Sequence, residues 1–167
     1  MITRDYCIMM ARYNAWQNNQ LLQSIQVLPE VDLMQDRQAF FGSIMGTLSH
    51  LLWGDLMWMA RFDGGDSPAV SISDSPSLTP SYADWCPARL HADKRILEWA
   101  DAVEDVTLAG DLTWFSSSIG AQMTRPFAMC AVHMFNHQTH HRGQIHGMLT
   151  AAGAEAPVSD LVMMPEA

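Results

Sequence analysis

The chain has 167 residues, enough for one domain (residues 1–167) with a real core, and its 49% apolar content is that of a globular protein. Eighteen acidic against nine basic residues give a formal net charge of -9, and no basic cluster exists to neutralise phosphates, which argues against nucleic acid and anionic membranes as partners. Charged residues make up only 16%, and the apolar content leans on 13 Met and 6 Trp, a composition that favours homo-oligomers.

Apolar spacing predicts four helices. In the first, Tyr6, Met9, Tyr13 and Trp16 step by three or four, Leu21, Ile25 and Leu28 resume the stripe, and Pro29 stops it. In the second, Met45, Leu48, Leu52, Leu56 and Met59 keep the step. There, His50 shares a neighbouring face with Gly46, Trp53 and Met57, so burial on more than one side is expected. The stretch from Asp63 to Pro80, rich in Gly, Ser, Pro and Asp, reads as a loop. Thr79 as cap and Pro80 in the first turn would open the third helix, with Cys86, Leu90, Leu97 and Ala100 inward. Leu112–Ser116 and Gln122–Thr124 flank a turn at Gly120 and predict a short hairpin.

Pro126 opens the last helix, with the stripe Phe127, Ala131, Met134, Gln138, His141, Ile145, Met148 and Ala152, and with Gly153 as its stop. Gly143 and Gly147 lie inside this helix, each at a cost of about 1 kcal/mol relative to Ala, which predicts close approach of another helix. Cys7, Cys86 and Cys130 form no CxxC pair and read as buried, reduced thiols. Arg4, Asp5 and Arg12 interrupt any charged-then-apolar leader. The apolar run from Ile44 to Ala60 is too short to span a bilayer, so a cytoplasmic location is expected.

The last helix holds the most informative run of the chain, with His133, His137, His140 and His141 within nine residues. His137 and His141 are four apart and so share one helix face, where two imidazoles can grip one transition-metal ion. His50 on the second helix is the best third ligand. Three imidazoles leave a tetrahedral ion one open position, the arrangement of a catalytic site. His140 is nearly a quarter-turn from His141 and cannot easily point at the same ion. His133 could serve as a pocket wall, Asn136 could orient a ligand histidine, and Gln144 could bond a metal-held water. His91 and His146 look like surface or packing residues. Asp55 is poorly spaced from His50 for one face and is left out of the ligand set.

The segment Phe135-Asn136-His137-Gln138-Thr139-His140-His141-Arg142-Gly143-Gln144-Ile145-His146 resembles the signature of the DinB family of metalloenzymes, the DinB/YfiT-like four-helix bundles. These are unrelated to the DNA polymerase of similar name. Tyr13-Asn14-Ala15-Trp16 and Leu48-Ser49-His50-Leu51-Leu52-Trp53-Gly54-Asp55 match the same family's habits. The resemblance covers nearly the whole chain. It implies an all-α four-helix bundle, often homodimeric, with a divalent metal on His50, His137 and His141. Zinc is the default metal, with Ni, Fe, Co or Mn also compatible. The family is linked to DNA-damage stress rather than to DNA binding. Related branches are thiol-dependent transferases or isomerases, so the expected function is a metal-dependent enzyme acting through a low-molecular-weight thiol or by hydrolysis. The alternatives are a non-catalytic metal- or ligand-binding protein and a stress-linked interaction protein.

Overall fold

The computed structural model describes residues 2–166. The chain runs through α1 (Arg4–Ile25), the short α2 (Glu30–Met34) and α3 (Ile44–Asp63), then a 3-10 turn (Ile72–Ser77) and α4 (Tyr82–Ala102). The short α5 (Asp105–Leu108), β1 (Asp111–Ser116), β2 (Ala121–Pro126) and α6 (Phe127–Ala151) follow, with a last 3-10 turn at Leu161–Met163. The four long helices form a bundle in which α1 packs on α4, α3 packs on α6, and α3 also meets α4. The predicted hairpin is present: β1 and β2 pair antiparallel with Leu112 opposite Arg125 and Ser116 opposite Ala121. Its turn passes through Gly120 at φ 70°, a left-handed conformation that glycine adopts without strain.

Side-chain caps start three of the long helices. Thr3 Oγ1 accepts from the Tyr6 N–H at 3.4 Å, Ser43 Oγ from Gly46 at 3.0 Å and Ser81 Oγ from Asp84 at 3.2 Å, each such cap contributing about 1 kcal/mol. Ser81, not Thr79, therefore opens α4. Thr79 is buried, with its hydroxyl 2.7 Å from Ser49 Oγ. As expected, Pro126 immediately precedes α6 and Gly153, at φ 74°, follows its end. Gly143 and Gly147 differ from expectation: a Cβ at either would meet nothing within 4 Å, so no helix approaches them closely. Cys7 and Cys130 are buried free thiols, while Cys86 is only half-buried.

Two apolar clusters fill the bundle. One joins Cys7, Ala11, Met59, Ile96, Trp99, Phe127 and Phe135 near the hairpin, and the other joins Leu21, Ile25, Leu48, Leu52, Trp85, Ile145 and Leu149. On every long helix, buried polar residues fall between the two. Asp55 on α3 meets Arg89 Nη1 on α4 at 2.6 Å, and Arg89 Nη2 lies 2.8 Å from Asp93. Asn14 and Asn18 on α1 donate to Asp93 at 3.0 and 2.8 Å. On α6, Gln138 donates to Asp55 at 3.0 Å, and Arg142 donates to Asn14 Oδ1. Two carboxylates thus face two guanidiniums in a layer that touches all four helices.

This layer overturns the predicted stripe of α4 and widens that of α1 with polar residues. The buried face of α1 is Cys7, Ala11, Tyr13, Asn14, Gln17, Asn18, Leu21 and Ile25, so Tyr13, Leu21 and Ile25 of the expected stripe point inward while Met9 is 38% exposed. On α4 the inward face carries Trp85, Arg89, Ala92, Asp93, Ile96, Trp99 and Ala100, and Leu90 turns outward. Apolar spacing misplaced the α4 face, and missed Asn14 and Asn18 on α1, because the residues at mid-helix are polar and paired. The expected stripe of α6 holds from Phe127 to Met148, and α3 is buried on several sides as its double apolar face predicts. No helix among the described residues is long and apolar enough to cross a membrane.

Candidate metal centre

α3 and α6 bring the three expected histidines together. One ring nitrogen from each of His50, His137 and His141 lies within 4.8 Å of the others. His50 Nε2 and His137 Nε2 are 3.2 Å apart. A tetrahedral zinc ion with Zn–N bonds of about 2.0–2.1 Å holds its nitrogens roughly 3.4 Å apart. The His50–His137 pair already has that scale, and the three nitrogens together lie within 4.8 Å.

Hydrogen bonds on the far side of two rings fix which nitrogen faces inward. Ser75 Oγ donates to the Ile72 carbonyl at 2.6 Å and therefore accepts from His50 Nδ1–H at 2.8 Å. His141 Nδ1–H donates to Gln144 Oε1 at 2.7 Å. In both rings Nδ1 carries the proton and Nε2 is left with a lone pair, the form in which imidazole binds a metal. His137 Nδ1 is buried without a hydrogen-bond partner. Its ring is placed instead by a gap in α3: a Cβ on Gly54 would sit 2.6 Å from His137 Cε1. Phe41 stacks on His50 with ring centroids 3.8 Å apart and shields that side.

Electrostatics keep the rings neutral. Burial, and then the neighbouring His141, push His50 down to about 4. Burial, and then the surrounding imidazoles led by His141, push His137 down to about 3. His141 is lowered as well, chiefly by burial, with the Gln144 bond opposing. Burial dominates because a charged imidazole loses its hydration there. Three uncharged nitrogen donors converging on one point form a donor set suited to a divalent transition metal, so the residues fit such an ion.

The cluster opens onto a cleft of about 810 Å³, and His50 and His137 form part of its wall. The loop after α3 and the turn of the hairpin complete the cleft. His133 also lines it, one helical turn before His137, with ring centroids 6.1 Å apart. It belongs to the wall and not to the cluster.

The other candidates fall outside the cluster. His140 is exposed, and Gln144 Nε2 donates to its Nε2 at 3.3 Å. Asn136 is exposed and orients no ligand ring. Gln144 bonds His141 itself. Asp55 is engaged by Arg89 and Gln138. His91 is exposed and His146 half-buried. Ser75, Gly54 and Phe41 were not singled out from the sequence. Ser75 lies in a stretch that reads only as loop, and nothing in its local pattern marks it.

Comparison with known proteins identifies the family of the fold. The family model described as DinB family matches residues 1–167. The chain is 29% identical over 163 residues to Protein DinB of Bacillus subtilis (strain 168), covering 92% of this chain and 90% of that one. Its fold is similar to the crystal structure of a DinB-like protein from Bacillus cereus ATCC 10987. That likeness has a TM-score of 0.60 at 19% identity and covers 87% of this chain and 90% of the other.

Proposed function

Because this chain belongs to the DinB family, we propose that it is a metal-dependent enzyme in which His50, His137 and His141 hold one divalent transition ion, zinc before Ni, Fe, Co or Mn. The observation that carries this reading is the convergence of three neutral imidazoles at the wall of an open cleft, with two tautomers set by Ser75 and Gln144. A closed structural site would surround the ion with four protein ligands; here the described residues supply three. When bound, such an ion supplies Lewis acidity that favours the deprotonated form of a small thiol or of water.

The chain's own residues do the rest. Ser75 and Gln144 hold the rings of His50 and His141 in one orientation. Phe41 keeps solvent from one face of His50, and Gly54 leaves room for His137. His133 lines the cleft, and partial desolvation and then the charge of Arg61 lower its pKa and favour the neutral ring. We favour thiol chemistry on the family resemblance, since the ion would activate a thiol or water alike and the residues favour neither.

Metal content of the purified protein tests the site. One ion per chain is expected, with sharp loss in His50→Ala, His137→Ala or His141→Ala and little loss in His140→Ala. Equal loss from His140→Ala and His141→Ala would falsify this ligand set. Catalysis is tested by incubating metal-loaded protein with glutathione and an electrophilic acceptor, then with ester and amide substrates. Rates no higher than those of His137→Ala across the panel would replace the enzyme reading with that of a binding protein.

A further inference from the structure

Arg61 occupies an unusual place for a cation in this acidic chain. Among the nine Lys and Arg side chains, it alone donates no hydrogen bond and enters no ion pair within the described residues. Asp63, the acid nearest to it in sequence, is held by Arg95 through bonds of 2.7 and 2.6 Å. The guanidinium is nevertheless fixed in place. Its carbon lies 4.5 Å from the ring centre of Trp58 and 5.1 Å from that of Trp114, so two indoles from α3 and β1 hold it by cation–π contact.

Arg61, Trp58 and Trp114 all line the cleft that contains His50 and His137. Arg61 is eleven residues beyond His50 on α3, about three turns, which returns it to nearly the same helix face roughly 16 Å along the axis. The cleft therefore has His50 and His137 of the cluster in its wall and an unpaired planar cation about three helical turns away, with Trp53, Trp58 and Trp114 also lining it. A guanidinium that is positioned but unsatisfied is a ready partner for an oxyanion, because its donors match two oxygens at once.

We propose that Arg61 is a specificity-determining residue of this cleft, binding the carboxylate or phosphate of an elongated small molecule whose reacting end lies at the three histidines. Met57, Trp58 and Phe115 give the middle of that molecule an apolar surface. The part concerning the reacting end rests on the metal-centre reading above; the anion site itself does not.

The test is calorimetric titration of the full chain, metal-loaded and metal-stripped, with 3-phenylpropionate, phenyl phosphate and neutral 3-phenylpropanol. Both anions are expected to bind at least ten-fold more tightly than the alcohol, and the tighter of the two identifies the oxyanion. Arg61→Met should lose at least ten-fold in affinity for that anion in metal-loaded and stripped protein alike, with metal content unchanged; Arg61→Lys should recover part of it. A thermal melt checks that each variant folds, and Arg61→Gln replaces Arg61→Met if the latter does not. Equal affinity for anion and alcohol, no binding of any probe, or an anion affinity indifferent to position 61 would overturn the proposal. If the anion preference holds but metal content is indifferent to His137→Ala, the metal-centre reading fails and the anion site stands.

Discussion

Two groups of buried polar residues lie side by side at the middle of this bundle, and they are built in opposite ways. In the charged layer, Asp55, Arg89, Asp93, Asn14, Asn18, Gln138 and Arg142 turn toward one another and tie all four long helices. In the histidine cluster, the bonds of His50 and His141 to Ser75 and Gln144 turn their remaining lone pairs toward a common point beside the cleft. Gln138 and His137 are adjacent in sequence yet belong to different groups. Polar groups that satisfy one another specify how helices meet. Polar groups supported on one side and left open on the other define a place for a ligand.

Breaking each group in turn separates these roles. The largest effect is expected from Arg89→Met, which leaves Asp55 and Asp93 buried without their partner. Removing one member of a buried ion pair costs about 3–5 kcal/mol, to be read as a shift in the urea unfolding midpoint. A loss below about 1 kcal/mol would mean that the layer is not a structural tie.

Gly54→Ala should do the reverse. The added methyl displaces the His137 ring, the movable end of its side chain, while Ala gains about 1 kcal/mol of helix propensity over Gly. Metal affinity should fall about 100-fold, the upper range for disturbing a ligand's orientation, with unfolding stability held or improved. Unchanged metal affinity would show that His137 is not positioned by this gap. Ser75→Ala leaves the His50 ring in place but frees its tautomer, and a loss of about 10-fold in metal affinity is expected. The same substitution should leave the charged layer, and hence most of the unfolding free energy, unaffected.

A further effect is a pH dependence of the metal-stripped protein. An unfolded histidine takes up its proton near 6.5, but His50 and His137 resist protonation until about 4 and about 3. Between those values the unfolded state binds more protons, so stability falls as pH is lowered from about 6.5 toward 4. Melting temperatures at pH 7, 6 and 5 should decline in that order, less steeply in His137→Ala. A variant slope equal to that of the parent would remove His137 from the account.

The contrast between the two groups also explains what could be read from the sequence. The histidine cluster was legible because its signal is local: His137 and His141 one turn apart, and His50 on a helix apolar on two sides. The hairpin was legible from its turn glycine, and the last helix from Pro126 and Gly153. The charged layer was not, because apolar spacing discards polar residues as surface. Asn14 with Asn18, and Arg89 with Asp93, repeat the same four-residue step as His137 and His141, but nothing local says that these pairs face inward. The supports of the site were hidden for another reason. Ser75 reaches His50 across 25 residues of chain, and Gly54 acts by lacking a side chain.

The segment joining α3 to α4 carries a consequence for how this chain can vary. Surface connections ordinarily accept insertions and deletions freely. Here Trp53 Nε1 donates to the Val70 carbonyl at 2.9 Å, and His50, one turn earlier on the same helix, is met by Ser75. The two anchor points span only the stretch from 70 to 75, so a single added or removed residue between them would put Ser75 out of phase with the imidazole. That stretch is then a measured spacer, with a length as constrained as the spacing of His137 and His141, and tolerance to length change should be confined to the residues before Val70.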